Sequence, residues 1–107
     1  MEAFELIQPL TETALSEYIS RGGIVLVDFY ADWCQPCQRM LKILPSLAKE
    51  FEGRVQFVKI NVDEMKTGTY FVTVIPTFHL YKDGKRIEEW TGIKTLLEMK
   101  RILDTHI

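Results

Sequence analysis

The chain has 107 residues, of which 47% are apolar and 26% charged, and its formal net charge at pH 7 is -2. A chain of this length forms one domain, residues 1–107, and buries roughly two-thirds of its unfolded surface, so it can fold without a metal or disulfide cross-links. Because the charge is nearly balanced and no segment concentrates basic residues, the composition argues against nucleic acid or an anionic membrane as partner.

The N-terminal segment lacks a cationic stretch followed by an apolar core, and no apolar run approaches the ~20 residues that span a bilayer. We therefore expect a cytoplasmic protein. No repeats or Pro/Gly/Ser-rich linkers divide the chain, and nothing in the sequence indicates more than a monomer.

The chain begins with a predicted strand and a predicted helix. Phe4 and Leu6 indicate a short edge strand, and Thr11 or Thr13 can cap a helix that the glycines at 22–23 end. The next run, Ile24–Tyr30, is rich in β-branched and aromatic residues and is apolar except at position 28. Such a run predicts a central strand buried on both faces, as parallel strands require.

A second helix and strand follow. From residue 36 to residue 50 the apolar residues have helical spacing, and Gly53 supplies the terminator. Residues 55–62 form another apolar strand pattern, so the two strands and the helix between them make a right-handed βαβ unit with parallel strands.

The last third of the chain predicts a connector, a hairpin and a final helix. Residues 63–71 are polar and form at most a short helix, whereas residues 77–82 and 85–91 flank Asp-Gly, the strongest short hairpin signal. Residues 95–98 form a capping box. This order predicts an α/β fold in which helices cover both faces of a mixed sheet of four to five strands.

Cys34 and Cys37 lie between the central strand and the second helix, separated by Gln35 and Pro36. The positive end of a helix favours a thiolate, so this placement indicates a redox-active dithiol. A bridge between the two cysteines closes a very short loop and removes little chain entropy, which makes it a poor staple but one that can open and close.

Two alternatives for the cysteine pair are a zinc site and a purely structural bridge. Zinc would need two more ligands, and only His79 and His106 are available, at intervals far wider than finger spacing. We interpret His79 as a packed or surface strand residue rather than as a catalytic base.

Three segments together closely resemble the thioredoxin family. They are Val-Asp-Phe-Tyr-Ala-Asp-Trp-Cys-Gln-Pro-Cys at 27–37, Ile-Pro-Thr at 75–77, and the hairpin with Gly84 and Gly92. The resemblance covers essentially the whole chain and implies the thioredoxin fold. It also implies a protein-disulfide reductase, in which Cys34 attacks a client disulfide and Cys37 resolves the mixed disulfide.

The same resemblance implies two kinds of partner, namely disulfide-containing target proteins and a flavin-dependent thioredoxin reductase that carries electrons from NADPH. The chain has no Gly-rich nucleotide motif, so we expect no bound cofactor and no metal. The alternatives are a specialised thioredoxin-like reductase that uses glutathione or one dedicated client, and a binding module of this fold without redox function.

Asp28 interrupts the apolar central strand, where a carboxylate either faces solvent or is buried at a cost. In the family the matching Asp lies beneath the dithiol, which implies that Asp28 has a raised pKa and accepts or relays the Cys37 proton. Lys59, at the family's matching position in the neighbouring strand, could pair with it. The alternative is an ordinary ion pair or an exposed edge position.

By the same resemblance, the Ile75–Pro76 peptide is cis and faces the dithiol; the alternative is a trans proline that starts an edge strand. Trp33, Ile75, Pro76, Gly92 and Ile93 would then rim a shallow apolar groove. The backbone of Ile75 would be free to bind an extended client. For Trp33, simple packing is the alternative.

The chain departs from the family pattern at three places. Gln35 replaces the usual Gly, and because neither Gln35 nor Pro36 is charged we expect a reducing dithiol. Pro45 lies three residues after the position of the family's kinking proline, which predicts a bend over 41–45. The connector 63–76 is about two residues shorter than usual, which predicts a reduced or missing third helix.

Overall fold

The computed structural model describes residues 6–107, and the predicted strand position Phe4 lies outside them. The elements are β1 (Ile7–Pro9), α1 (Glu12–Ser20), β2 (Ile24–Tyr30), α2 (Gln35–Glu50), β3 (Gln56–Asn61), β4 (Thr77–Lys82), β5 (Lys85–Thr91) and α3 (Leu96–His106). The chain order of strands and helices is therefore the predicted one, and the bounds of β2, β4 and β5 match the prediction.

The five strands form one mixed sheet in the order β1-β3-β2-β4-β5. β3 is parallel to both β1 and β2, whereas β4 is antiparallel to β2 and β5. The predicted mixed sheet is confirmed, and so is the parallel pairing of β2 with β3 across α2.

Side chains of β2 alternate between two apolar clusters, as the pleat of a strand requires. Val25, Val27 and Phe29 pack in the cluster that contains residues of α1. Leu26 packs in the cluster that contains α2 and α3. The helices thus cover both faces, and position 28 faces the side of α2 and α3.

Side chains cap the first and last helices. Thr11 is the N-cap of α1, because its hydroxyl accepts a hydrogen bond from the Ala14 N–H (3.2 Å), which decides between the two predicted threonines. Thr95 and Glu98 form the predicted capping box at α3, with each side chain bonded to the other's backbone N–H.

The hairpin turn is tied to the start of β2. Asp83 and Gly84 both have positive φ (51° and 86°), as a tight two-residue turn needs. The Asp83 carboxylate accepts a hydrogen bond from the Gly23 N–H (2.9 Å), and the Asp83 N–H donates to the Gly23 carbonyl (2.9 Å). This end of the sheet is opposite to the end at which α2 begins.

The connector after β3 contains a 3-10 turn, Val62–Glu64, and no α-helix, as its shortness predicted. It is held by the buried carboxylate of Glu12, which accepts hydrogen bonds from the N–H of Lys66 (2.7 Å) and of Thr67 (3.0 Å). The backbone hydrogen bond from Lys66 is the main reason that the pKa of Glu12 is below its ordinary value.

α2 continues through Pro45 from Gln35 to Glu50, so the predicted bend over 41–45 stays a prediction. Across residues 6–107, every helix is too short or too polar to cross a membrane.

Candidate active site

The cysteines lie where the central strand β2 gives way to α2. Cys34 is the N-cap of α2, with an extended backbone (φ -92°, ψ 110°). Its sulfur accepts a hydrogen bond from the Cys37 N–H (3.2 Å). Pro36 occupies the first turn, where its missing N–H leaves no intrahelical bond unmade.

Cys34 and Cys37 are joined as a disulfide with a Cα–Cα distance of 5.2 Å. Cys34 retains 5% of its surface exposed and Cys37 none. Tyr30 and Ala31 form an apolar cluster with both cysteines. The part of the bridge that solvent can reach therefore belongs to Cys34, and Cys37 is shielded.

Asp28 lies in β2 on the face covered by α2 and is 1% exposed, so the alternative of an exposed edge position is wrong. Neither of its carboxylate oxygens has a hydrogen-bond partner among residues 6–107. Desolvation by burial raises the pKa of Asp28 to about 7, and the positive charge of Lys59 opposes that rise. A carboxyl group with this pKa can both hold and release a proton near neutral pH.

Lys59, which could pair with Asp28, acts on it as a nearby positive charge but not through a direct ion pair. The two residues are opposed in the register of β2 and β3, but they form no salt bridge in the described part of the chain. The Lys59 ammonium lies over the ring of Tyr30, 5.2 Å from its centroid. The long side chain of Lys59 places its charge against the ring of Tyr30, so the carboxylate of Asp28 has no direct ionic partner.

The Ile75–Pro76 peptide is cis, and Ile75 packs against the cysteine cluster. The sulfur of Cys34 lies 3.9 Å from the carbonyl oxygen of Ile75. Pro76 is buried, and its carbonyl accepts a hydrogen bond from the Gly92 N–H (2.9 Å). Neither backbone group of Ile75 has a backbone partner within residues 6–107, so both can pair with an added strand.

Trp33 and Ile93 are exposed to solvent, with 70% and 51% of their surfaces accessible. Simple packing of Trp33 is therefore wrong. The indole Nε1–H of Trp33 donates a hydrogen bond to the carboxylate of Asp63 (2.8 Å), which orients the ring beside Cys34.

Sequence reasoning missed several residues near the site. Asp63 was noted only as the start of the connector, and its bond to Trp33 spans 30 positions without a local signal. Val74, which precedes Ile75 in the chain, is 53% exposed.

His79 lies in β4 and is fully buried, with Nδ1 3.2 Å from the hydroxyl of Tyr81. His106 lies at the end of α3, with Nε2 2.9 Å from a Glu88 carboxylate oxygen. No group of three His, Cys, Asp or Glu side chains in residues 6–107 is arranged to hold a metal ion.

Cys34 caps a helix and is bonded to a shielded partner, Cys37, in a fold whose mixed sheet is flanked by helices. This combination defines a thiol-disulfide oxidoreductase. The family model described as Thioredoxin matches residues 6–105. A thioredoxin of Staphylococcus aureus is 36% identical over 88 residues, which cover 80% of this chain and 85% of that protein. The chain belongs to the thioredoxin family.

Solved structures show the same likeness. A Plasmodium falciparum thioredoxin superposes with a TM-score of 0.83 at 28% identity, covering 94% of this chain and 100% of that one. A mutant thioredoxin from Halobacterium salinarum NRC-1 superposes with a TM-score of 0.80 at 34% identity, covering 92% and 90%. The predicted fold and the protein-disulfide oxidoreductase activity are thereby confirmed.

Proposed function

We propose that this chain is a general protein-disulfide reductase that acts in the cytoplasm and is returned to its dithiol form by a thioredoxin reductase using NADPH. The observation that carries the proposal is the asymmetry of the pair, since solvent reaches the bridge only at Cys34, which is 5% exposed, and Cys37 is fully buried. The cytoplasm fits this cycle because thiols there are kept reduced.

The reaction moves two electrons through the sulfurs. In the reduced protein the thiolate of Cys34 attacks one sulfur of a client disulfide, forming a mixed disulfide and releasing the other client sulfur as a thiolate. Cys37 then loses its proton and attacks the sulfur of Cys34, which releases the second client thiol. The products are a reduced client and an oxidised Cys34–Cys37 bridge, and no bound cofactor takes part.

The helix end supports the role of Cys34. The N–H groups of the first turn have no intrahelical acceptor, and the helix dipole is positive there, so negative charge on the sulfur is stabilised. The Cys37 N–H already points at that sulfur. Each unit by which the pKa of Cys34 falls is worth about 1.4 kcal/mol in favour of the thiolate.

Asp28 is the group we assign to the proton of Cys37. Its carboxylate is buried on the α2 side of the sheet, lacks a hydrogen-bond partner within the described residues, and has a pKa of about 7. A base whose pKa lies near the working pH transfers protons most efficiently in both directions. Its neighbour Lys59 acts only as a nearby positive charge, because its ammonium lies over Tyr30.

The client is proposed to bind as an extended strand beside Ile75 and Pro76, with Trp33, Gly92 and Ile93 at the edges of the groove. The support is the free backbone of Ile75, the contact between Ile75 and the cysteine cluster, and the exposure of Trp33 and Ile93. Main-chain pairing of this kind is tolerant of client sequence, which suits a general reductase.

The test is the reduction of insulin disulfides with NADPH and a bacterial thioredoxin reductase. The loss of NADPH absorbance measures the rate. We expect catalytic turnover by the wild-type chain and none by Cys34→Ser. Turnover with glutathione and glutathione reductase but not with thioredoxin reductase would assign the chain to a specialised reductase instead. Turnover that survives Cys34→Ser would exclude the mechanism.

A further inference from the structure

A shallow pocket of about 280 Å³ opens on the first turns of α2. It is lined by Gln35, Gln38, Arg39 and Lys42, all of them exposed. Their spacing places them on one face of the helix, next to one another. Because Gln35 directly follows Cys34 in the chain, the pocket lies at the same end of α2 as the dithiol.

The two cations of this pocket have no carboxylate within salt-bridge distance anywhere in residues 6–107. The remaining cation of α2, Lys49, does have such a partner, and so does Lys100 of the neighbouring helix α3. Lys49 pairs with Glu52 (3.2 Å), and Lys100 of α3 pairs with Glu50 of α2 (3.3 Å). The dithiol end of the helix thus differs from its far end in presenting positive charge that is not neutralised within the described chain.

We propose that this pocket binds the carboxylate of an aspartate or glutamate that lies close in sequence to the client's disulfide. The inference rests on the proposed function, because it assigns a specificity site to the same reaction. Arg39 supplies a planar fork of donors and Lys42 a point charge. The amide of Gln35 supplies a neutral donor, whereas the Nε2 of Gln38 already donates a hydrogen bond to the Asp32 carbonyl (3.2 Å). No acidic side chain lines the pocket.

The occupant is part of the client rather than a free anion. Exposed charge pairs are individually weak, so two cations at the surface hold a free carboxylate poorly. A carboxylate carried by a client that is already docked at Cys34 has a high effective concentration at the pocket, and the same weak contacts then discriminate between clients. The pocket therefore selects among clients that the groove accepts.

The experiment compares two short peptides with one intramolecular disulfide each, identical except for Glu or Gln beside one cysteine. The quantity measured is the ratio of kcat/KM for the acidic peptide to that for the neutral peptide. At low salt we expect the wild-type ratio to be about five. Arg39→Gln combined with Lys42→Gln should bring the ratio to about one, and the wild-type ratio should shrink as salt screens the charges.

The matched control combines Lys49→Gln with Lys85→Gln, which removes the same charge. Lys49 lies in the last turn of α2, and Lys85 lies beside the hairpin turn at the opposite end of the sheet. We expect this variant to keep the wild-type ratio. Because any change in the pKa of Cys34 affects both peptides equally, the ratio isolates recognition of the carboxylate.

Equal rates for the two peptides with the wild-type chain would overturn the inference, and so would a ratio that persists in the pocket variant. The pocket variant could instead reduce oxidised glutathione more slowly than the wild type does, with no change in the peptide ratio. In that case the pocket binds a carboxylate of glutathione, and the assignment to protein clients is wrong. Failure to reduce either peptide would instead refute the proposed function, so the two failures are distinct.

Discussion

The N–H of Cys37 donates a hydrogen bond to the sulfur of Cys34 over 3.2 Å. The two residues are thereby more than a bonded pair, because the backbone of the resolving residue also stabilises negative charge on the attacking sulfur. The same turn buries Cys37 completely. One local geometry consequently assigns attack to one sulfur and resolution to the other.

Cys34→Ser and Cys37→Ser should block different steps of disulfide reduction. Cys34→Ser should lower disulfide reduction at least about 1,000-fold, because no thiolate remains at the exposed position. Cys37→Ser should attack clients normally but accumulate the mixed disulfide through Cys34. Mass spectrometry of the trapped adduct checks this result, and trapping through Cys37 in the Cys34→Ser protein would contradict it.

Asp28→Asn should slow client reduction near neutral pH, because asparagine cannot accept the proton of Cys37. The matched control is Lys59→Gln, which removes the nearby positive charge and leaves the carboxylate in place. Stopped-flow reduction of a client at several pH values measures both variants. A rate for Asp28→Asn that equals the wild-type rate from about pH 6 to about pH 9 would reject the proton role.

The same substitution should also change stability. Burial raises the pKa of Asp28 from 3.8 to about 7, so the folded state binds its proton more tightly than the unfolded state does. The contribution of Asp28 to stability is therefore most favourable below about pH 4 and becomes less favourable as the pH rises towards 7, by about 4 kcal/mol. Asp28→Asn should remove that fall, which urea unfolding at about pH 4 and about pH 8 measures.

His79 should change the pH dependence of stability in the opposite direction to Asp28. Burial, and then the charge of Arg86, lower the pKa of His79, while Glu89 opposes the shift. Folding therefore favours neutral histidine, and stability is lost as the pH falls below its unfolded value of 6.5. In the Asp28→Asn background, His79→Phe should flatten the acid side of the stability profile. An unchanged slope between about pH 7 and about pH 5 would refute this.

Glu12→Gln should loosen the connector without disturbing the dithiol. The carboxylate of Glu12 holds the amides of Lys66 and Thr67, and an amide oxygen is a weaker acceptor. Because the pKa of Glu12 is lowered by these bonds, its stabilising effect should disappear as the pH falls through that pKa. Hydrogen exchange of the two amides should become faster in the variant, whereas the amide of Cys37 should exchange as in wild type.

The fold was predictable where local patterns and packing agree. The apolar run Ile24–Tyr30, interrupted only by Asp28, predicted a central strand, and Asp83-Gly84 predicted the hairpin. The direction of the Lys59 side chain was not predictable. Its long, flexible chain can reach either a carboxylate or an aromatic ring, and the tertiary structure decides which of them it contacts. The bond between Trp33 and Asp63 likewise joins residues that no periodicity relates.

The site shows the same division. The spacing of Cys34 and Cys37 indicated their chemistry, and the cis peptide at Pro76 followed from resemblance to the family. The positive charge of the pocket with Arg39 and Lys42 could not be predicted, because it depends on which surface cations form salt bridges elsewhere in the fold. Such pairing is a property of the tertiary structure, so a helical pattern alone does not reveal it.

The most direct test of the account is the rate at which the reduced protein is alkylated at each cysteine as a function of pH. Cys34 should react with a midpoint below the ~8.5 of an ordinary thiol, and at least about tenfold faster than Cys37 at neutral pH. A midpoint for Cys34 at or above that of an ordinary thiol, or faster alkylation of Cys37, would contradict the assignment of the attacking sulfur.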